Sequence, residues 1–368
     1  MRHSMRWVRS GVVSGVRSGV RSGVRSGVIS GVLGLAALAG NAVHAAAPSG
    51  LDVRLSMAAP VLQGDVDVNV RVTLTNTTRH PVQVLKWQLP DDEVEGALFR
   101  ITREDGRPVR YEGPIVKRAP PQAADHVRIE PGASLSYTVE LTAAYDLSSS
   151  GRYAIEYASP GGHGAQAVLL RSPPLYLWLE GRSAQGGAAP PVPAQAAGAT
   201  VYSSCSASQQ SALVAATQQA VTYASGAASY LAGSSGPTPR FDKWFGGYTV
   251  ARWNTAHDHF GAIHSAFTTQ GLAYDCKCKK PSTYAYVYAN QPYKIYLCGA
   301  FWNAKLAGTD SRGGTLIHEM SHFTVVAETN DWAYGQTAAA NLAISDPIKA
   351  LDNADSHEYF AENTPLLP

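Results

Sequence analysis

Two different spacings of apolar residues divide the chain. From Leu51 to about Glu180 apolar residues fall at every second place: Val66–Leu74 reads Val-Asp-Val-Asn-Val-Arg-Val-Thr-Leu, and Ser134–Leu141 and Tyr153–Tyr157 keep the same step. Successive side chains on a strand point to opposite faces, so this alternation predicts strands with one face buried. Turn-forming clusters separate the runs at Asn76-Thr77-Thr78, Glu104-Asp105-Gly106 and Pro131-Gly132. Residues 46–181 therefore read as an antiparallel, all-β sandwich.

Beyond residue 200 the spacing changes to three and four. Ser206 with Gln209 forms a capping box, and Leu213, Ala216, Ala220, Ala224, Ala227 and Leu231 follow on one helical face until Gly233 and Pro237 end it. A second helical face carries Trp253, His257, Phe260, Ile263 and Phe267. Tyr284, Tyr286 and Tyr288 alternate with Ala285 and Val287, and Lys294–Cys298 returns as a strand after Asn290-Gln291-Pro292. The run Tyr284–Tyr288 or its return strand offers an edge for an extended peptide backbone. A mainly helical half with one small sheet makes residues 200–368 an α+β domain. Residues 182–199 between the halves are Gly, Ala and Pro in a density that builds no core, which marks an exposed, cleavable linker.

Composition narrows the class. With 45% hydrophobic and 16% charged residues the chain is not mostly disordered. Six of the 30 basic residues are arginines within the first 25 positions, so from residue 46 onward 24 basic side chains face 28 acidic ones. That balance argues against a nucleic-acid partner or an anionic membrane surface. Residues 1–45 read as a secretory signal: repeated Ser-Gly-Val-Arg, an apolar run from Val28 to Ala39, and a small-residue cleavage pattern at Val43-His44-Ala45, with Met5 as an alternative start. The apolar run has about half the roughly 20 residues of a bilayer span, so the expectation is a secreted protein with no membrane span after the signal is removed. The even count of four cysteines (Cys205, Cys276, Cys278, Cys298), all in the second half, predicts two disulfides. Cys276 and Cys278 are too close for a zinc knuckle or for each other. His80, His126 and His163 are scattered through the first half and form no catalytic cluster.

The chemistry gathers between His318 and Glu358. His318-Glu319-Met320-Ser321-His322 is His-Glu-x-x-His, which on a helix sets two imidazoles on one face and Glu319 one step round. Two imidazoles take two positions of a tetrahedral Zn²⁺, and a third ligand must come from elsewhere. The metzincin pattern would need glycine at position 325 and histidine at 328, where this chain has Val325 and Glu328. Glu358 and Glu362 are of the right type for a ligand on a later helix. Asp331, nine residues past His322, is nearer, and Tyr334 follows with a phenol able to donate to an oxyanion.

Thr329-Asn330-Asp331-Trp332-Ala333-Tyr334-Gly335, together with His-Glu-x-x-His, closely resembles the aspzincins, the deuterolysin family of zinc endopeptidases. The resemblance covers about residues 200–368. Tyr202–Gln210, Thr238–Phe241 with Trp244–Gly246, Cys298–Trp302 and Asn353–Phe360 narrow it to the peptidyl-Lys metalloendopeptidases. It implies a zincin-like catalytic domain with one Zn²⁺ on His318, His322 and Asp331, Glu319 as general base and Tyr334 as transition-state donor. It also implies the pairing Cys205–Cys276 and Cys278–Cys298, and hydrolysis of protein and peptide substrates on the amino side of lysine. The β-sandwich would then be a pro-domain, a partner to its own catalytic half.

Taken alone, Asp355 and Glu358, three apart behind Asp346-Pro347, read as a solvated charged face of one helix; the resemblance makes them the pair that receives the lysine ammonium. Glu328 stands where the family motif has glycine, an extra carboxylate close to the metal. His257, Asp258, His259 and His264 read as packed histidines before a second metal site. Two other functions fit the same residues: a deuterolysin of broader specificity, and an exported binding protein with a structural zinc site. Between Lys117 and Lys243 there is no lysine, so a lysine-directed enzyme has none in its own linker to cut at.

Overall fold

The computed structural model describes residues 50–90, 94–159, 170–182, 198–233 and 235–368. The expectations for the leader, for His163 and for linker residues 183–197 lie outside them.

The alternating half forms β1 (Leu51–Ser56), β2 (Val61–Gln63), β3 (Asn69–Asn76), β4 (Val82–Leu85), β5 (Phe99–Arg103), β6 (Pro114–Arg118), β7 (His126–Ile129), β8 (Ser134–Glu140), β9 (Gly151–Ser159), β10 (Leu170–Arg171) and β11 (Leu175–Glu180). β3 runs between β1 and β8 and buries Val70, Val72 and Leu74. β9 pairs with β5, β10 and β11, and the residues it buries share one core with those of β3. Three details differ from the sequence expectation. β3 starts at Asn69 rather than Val66, because its register with β8 runs out there, opposite Glu140. β2 joins β11 in parallel, so the sheets are not purely antiparallel. Among the described residues β6 pairs with no strand of its own half, and it crosses to the C-terminal sheet.

The C-terminal half comprises β12 (Thr200–Ser203), α1 (Ala207–Leu231), α2 (Pro239–Phe245), α3 (Val250–Thr269), β13 (Leu272–Asp275), β14 (Thr283–Tyr288), β15 (Lys294–Leu297), α4 (Gly299–Asn303), α5 (Arg312–Ser321), α6 (Gln336–Ser345), α7 (Pro347–Leu351) and α8 (Ala354–Glu362). In α1 the Ser206–Gln209 capping box forms, and the six expected positions from Leu213 to Leu231 are its buried stripe. The sheet has the order β12-β13-β15-β14-β6. Cys205–Cys276 ties the start of α1 to the end of β13, and Cys278–Cys298 ties the β13–β14 connection to the start of α4. Both pairings agree with the family's. No helix among the described residues is long and apolar enough to cross a membrane.

α5 and α8 pack against each other in the middle of this half, buried on every side. A helix without a solvated face must satisfy its polar side chains inside the protein. Gly314 makes the approach possible: a Cβ there would stand 3.0 Å from Glu358 Cγ and collide with the Glu362 carboxylate.

Candidate active site

α5 ends at Ser321, and His322 keeps helical angles one residue beyond it (φ −70°, ψ −25°), which preserves the four-residue spacing to His318. Asp331 enters from the following loop, its Oδ1 3.2 Å from His318 Nε2 and 3.5 Å from His322 Nε2. The outer ring nitrogens face partners: His322 Nδ1 is hydrogen-bonded to the Thr329 carbonyl at 2.7 Å, and His318 Nδ1 makes an ion-pair contact at 2.8 Å with Asp355 Oδ1, without hydrogen-bond alignment. Such partners turn the Nε2 atoms inward as ligands. Both Nε2 atoms and Asp331 Oδ1 are buried and make no hydrogen bond of their own. Three orphaned donors on one point, two imidazole nitrogens and a carboxylate oxygen, suit Zn²⁺ with a position left open. Burial holds the His322 pKa down at about 4; burial works against a charge on His318 too, yet Asp331 beside it carries its pKa well above the usual imidazole value. Burial pushes the Glu319 carboxyl up to about 8 among these groups, with Asp331 adding to the rise; both its oxygens also lack a hydrogen bond.

The loop from Asn330 to Gly335 is held by α8 and its cap. Asn353 Oδ1 accepts from the backbone N–H of Trp332 and of Ala333, each at 2.9 Å, and Gly335 N–H donates to Asp355 Oδ2 at 2.6 Å. Tyr334 Oη stands 2.9 Å from Asp331 Oδ2. Glu328, in contrast, is exposed and belongs to no metal-binding group among the described residues. Its φ of +50° explains the family's glycine: the chain turns there through a left-handed conformation that a Cβ disfavours. Glu328→Gly is expected to stabilise the protein by roughly 1 kcal/mol in thermal unfolding and to leave bound zinc unchanged. Loss of zinc in that variant would make Glu328 a ligand after all.

The solvated-face reading of Asp355 and Glu358 is wrong: they are 1% and 0% exposed. Nor do they share a helix with Asp346-Pro347. Asp346 caps the short α7, the chain then extends at Asn353 to bridge Asn330, and α8 starts afresh. The cation facing the two carboxylates is Lys117 of β6, itself 1% exposed. Its Nζ lies 2.9 Å from Asp355, 2.5 Å from Glu358 and 3.7 Å from Asp310, with the Tyr284 and Tyr359 rings about it at 5.5 and 5.8 Å. Burial works against that ammonium, yet Asp355 and Glu358 carry its pKa well above the usual lysine value. β6 runs antiparallel along the edge of β14, Val116 opposite Tyr286 and Ile115 opposite Val287. The Val116 carbonyl accepts from Tyr334 Oη at 3.2 Å.

Lys117, Asp310 and Asn353 are thus parts of the site that sequence reasoning missed as such. A usable signal existed for Lys117, which with Lys86 makes up all the lysines of residues 46–181. Of the other histidines, His257 is half-exposed beside Asp258, while His259 pairs with His357 of α8 at 2.9 Å. His257, His259 and His264 converge on no metal-binding group among the described residues.

Known proteins resemble this chain over most of its length. Residues 230–362 match the family described as lysine-specific metallo-endopeptidase, the aspzincins. An extracellular protease of Aeromonas hydrophila is 44% identical over 343 residues, spanning 89% of this chain and 96% of the relative. A peptidyl-Lys metalloendopeptidase of Grifola frondosa is 37% identical over 352 residues, spanning 90% of this chain and 98% of the relative. A solved zinc peptidase from Grifola frondosa is 48% identical, aligning over its full length with 45% of this chain at a TM-score of 0.43.

Proposed function

We propose, for a chain that belongs to the aspzincin family of zinc metalloendopeptidases, that it cuts peptide bonds on the amino side of lysine. One observation carries the reading: a buried lysine ammonium sits between Asp355 and Glu358 while the carbonyl one residue before it meets Tyr334. The lysine is a compact point charge with three donors, which two carboxylates on one helix face can share; the planar fork of arginine needs a different geometry. The alternative of a binding protein with structural zinc gives way to the enzyme family.

In this reading His318, His322 and Asp331 hold the zinc, which when bound supplies Lewis acidity at the substrate carbonyl. Glu319 takes a proton from the attacking water and delivers it to the leaving amine, a task suited to a carboxyl whose pKa burial has raised toward neutrality. Tyr334 donates to the oxygen on which negative charge develops. β14 binds the substrate backbone as an added strand, and Asp355 and Glu358 bind the lysine that follows the scissile bond. Digestion of a denatured protein, with mapping of the new termini, tests this: most fragments should begin with lysine, and a chelator should stop the digestion. Cleavage mainly before other residues would leave a broader deuterolysin activity.

The reading extends to a secreted precursor whose residues 46–181 are a pro-domain. Its support is that β6 covers the β14 edge and Lys117 fills the lysine pocket, so no substrate can enter. The chain cut only after the leader should digest a protein far more slowly than after the linker is opened; equal rates would end the inhibitory reading.

A further inference from the structure

A strand that blocks a protease can lie across it in either direction, and the direction decides whether its own bonds are in position to be cut. β6 lies as a substrate would under the lysine-specific reading, on which this inference rests. The side chain in the pocket is Lys117. The carbonyl of Val116, on the acyl side of the bond before that lysine, receives Tyr334 Oη at 3.2 Å and Arg118 Nη1 at 3.3 Å. β6 also packs against α5, the helix that carries Glu319. The backbone is pinned on both sides, by pairing of Pro114–Val116 with Tyr286–Tyr288 and by Ala119 N–H donating to the Ser282 carbonyl at 2.8 Å. Arg118 is anchored outside the pocket on Glu95, its Nη2 2.9 Å from Oε2, and Glu95 is also paired with Lys280.

We propose that Val116–Lys117 is the chain's own first cleavage site, cut within the molecule that carries it. Water adds across the amide: its hydroxyl joins the Val116 carbonyl carbon, the bond to the Lys117 nitrogen breaks, and Glu319 passes the proton to that nitrogen, leaving a carboxylate and an amine. The cut resolves the absence of lysine between Lys117 and Lys243, because the lysine presented to the site lies in the blocking strand and not in the linker. It is a nick rather than a release. The strands before Val116 share one core with β8, β9 and β11 after it, so the two pieces stay together until the linker is also cut.

The test uses the full chain purified in chelator, then given Zn²⁺ and sampled by mass and terminal mapping. A new terminus at Lys117 should appear before any in the linker, with a first-order rate constant unchanged by tenfold dilution. Lys117→Arg should slow the nick at least tenfold. As a readout that needs no turnover, a zinc-loaded Glu319→Gln chain is treated with an amine-acylating reagent; Lys117 should be labelled at least tenfold more slowly than the exposed Lys277 and Lys305. Equal labelling, or a nick whose rate rises with concentration, overturns the proposal. So does an uncut Val116–Lys117 bond in a preparation that, once its linker is opened by an added protease cutting at small residues, digests a denatured protein before lysine. In that last case the lysine-specific reading survives; if the opened enzyme cuts elsewhere, that reading fails as well.

Discussion

Glu319→Gln should retain its zinc and lose about 10²–10⁴-fold in kcat, the span that positioned proton transfer contributes. Glu319 follows His318 on α5, fully buried, with neither oxygen committed to a hydrogen bond. A carboxyl left unpaired inside a protein is costly, and burial accordingly pushes its pKa to about 8. No structural task accounts for that cost, whereas accepting and returning a proton near neutral pH does. The amide keeps the shape and removes the base. His318→Ala gives the contrast, since it removes a proposed ligand and should lose metal and activity together. Zinc stoichiometry measured beside single-turnover rates separates the two, and a Glu319→Gln protein without zinc would make Glu319 a ligand rather than a base.

Glu358→Gln should lower kcat/KM for a lysine substrate by about 10²- to 4 × 10³-fold with zinc content unchanged. Breaking a buried ion pair by removing one partner costs about 3–5 kcal/mol, and each 1.4 kcal/mol is tenfold. Asp355→Asn should behave differently, because of the two carboxylates Asp355 is the close partner of the histidine: its Oδ1 lies 2.8 Å from His318 Nδ1, against 3.5 Å for Glu358 Oε2, and it also meets the Lys117 ammonium. Loss of such an outer partner typically lowers metal affinity by about 10–100-fold. Asp355→Asn should therefore lose zinc and lysine preference together, and Glu358→Gln only the preference. Rates on matched lysine, arginine and alanine substrates, with zinc titrated against a competing chelator, measure both. A Glu358→Gln enzyme with its lysine preference intact would remove Glu358 from the pocket.

Local pattern was enough wherever the deciding contacts are near in sequence. The stripe from Leu213 to Leu231, the Ser206 cap, the hairpin of β14 and β15 and the four-residue spacing of His318 and His322 follow from helix and strand periods that a few neighbouring residues set. Kinship with the aspzincins added the disulfide pairing and Asp331, which periodicity alone left open. Tertiary structure decided what depends on distant partners. Asp355 and Glu358 have the local pattern of an exposed acidic pair; they are buried because α8 packs on α5 and because a lysine 238 residues before Asp355 neutralises them. The break before α8 arises from the Asn330–Asn353 bridge, not from any helix-breaking residue. β6, read as Pro-Ile-Val-Lys-Arg, carries no local mark of its partner, and it pairs with the edge of β14 in the other half. Hydrogen-bonding edges and buried charges are satisfied by whatever the fold brings within about 3 Å, and proximity of that kind is a property of the folded chain that its local sequence does not carry.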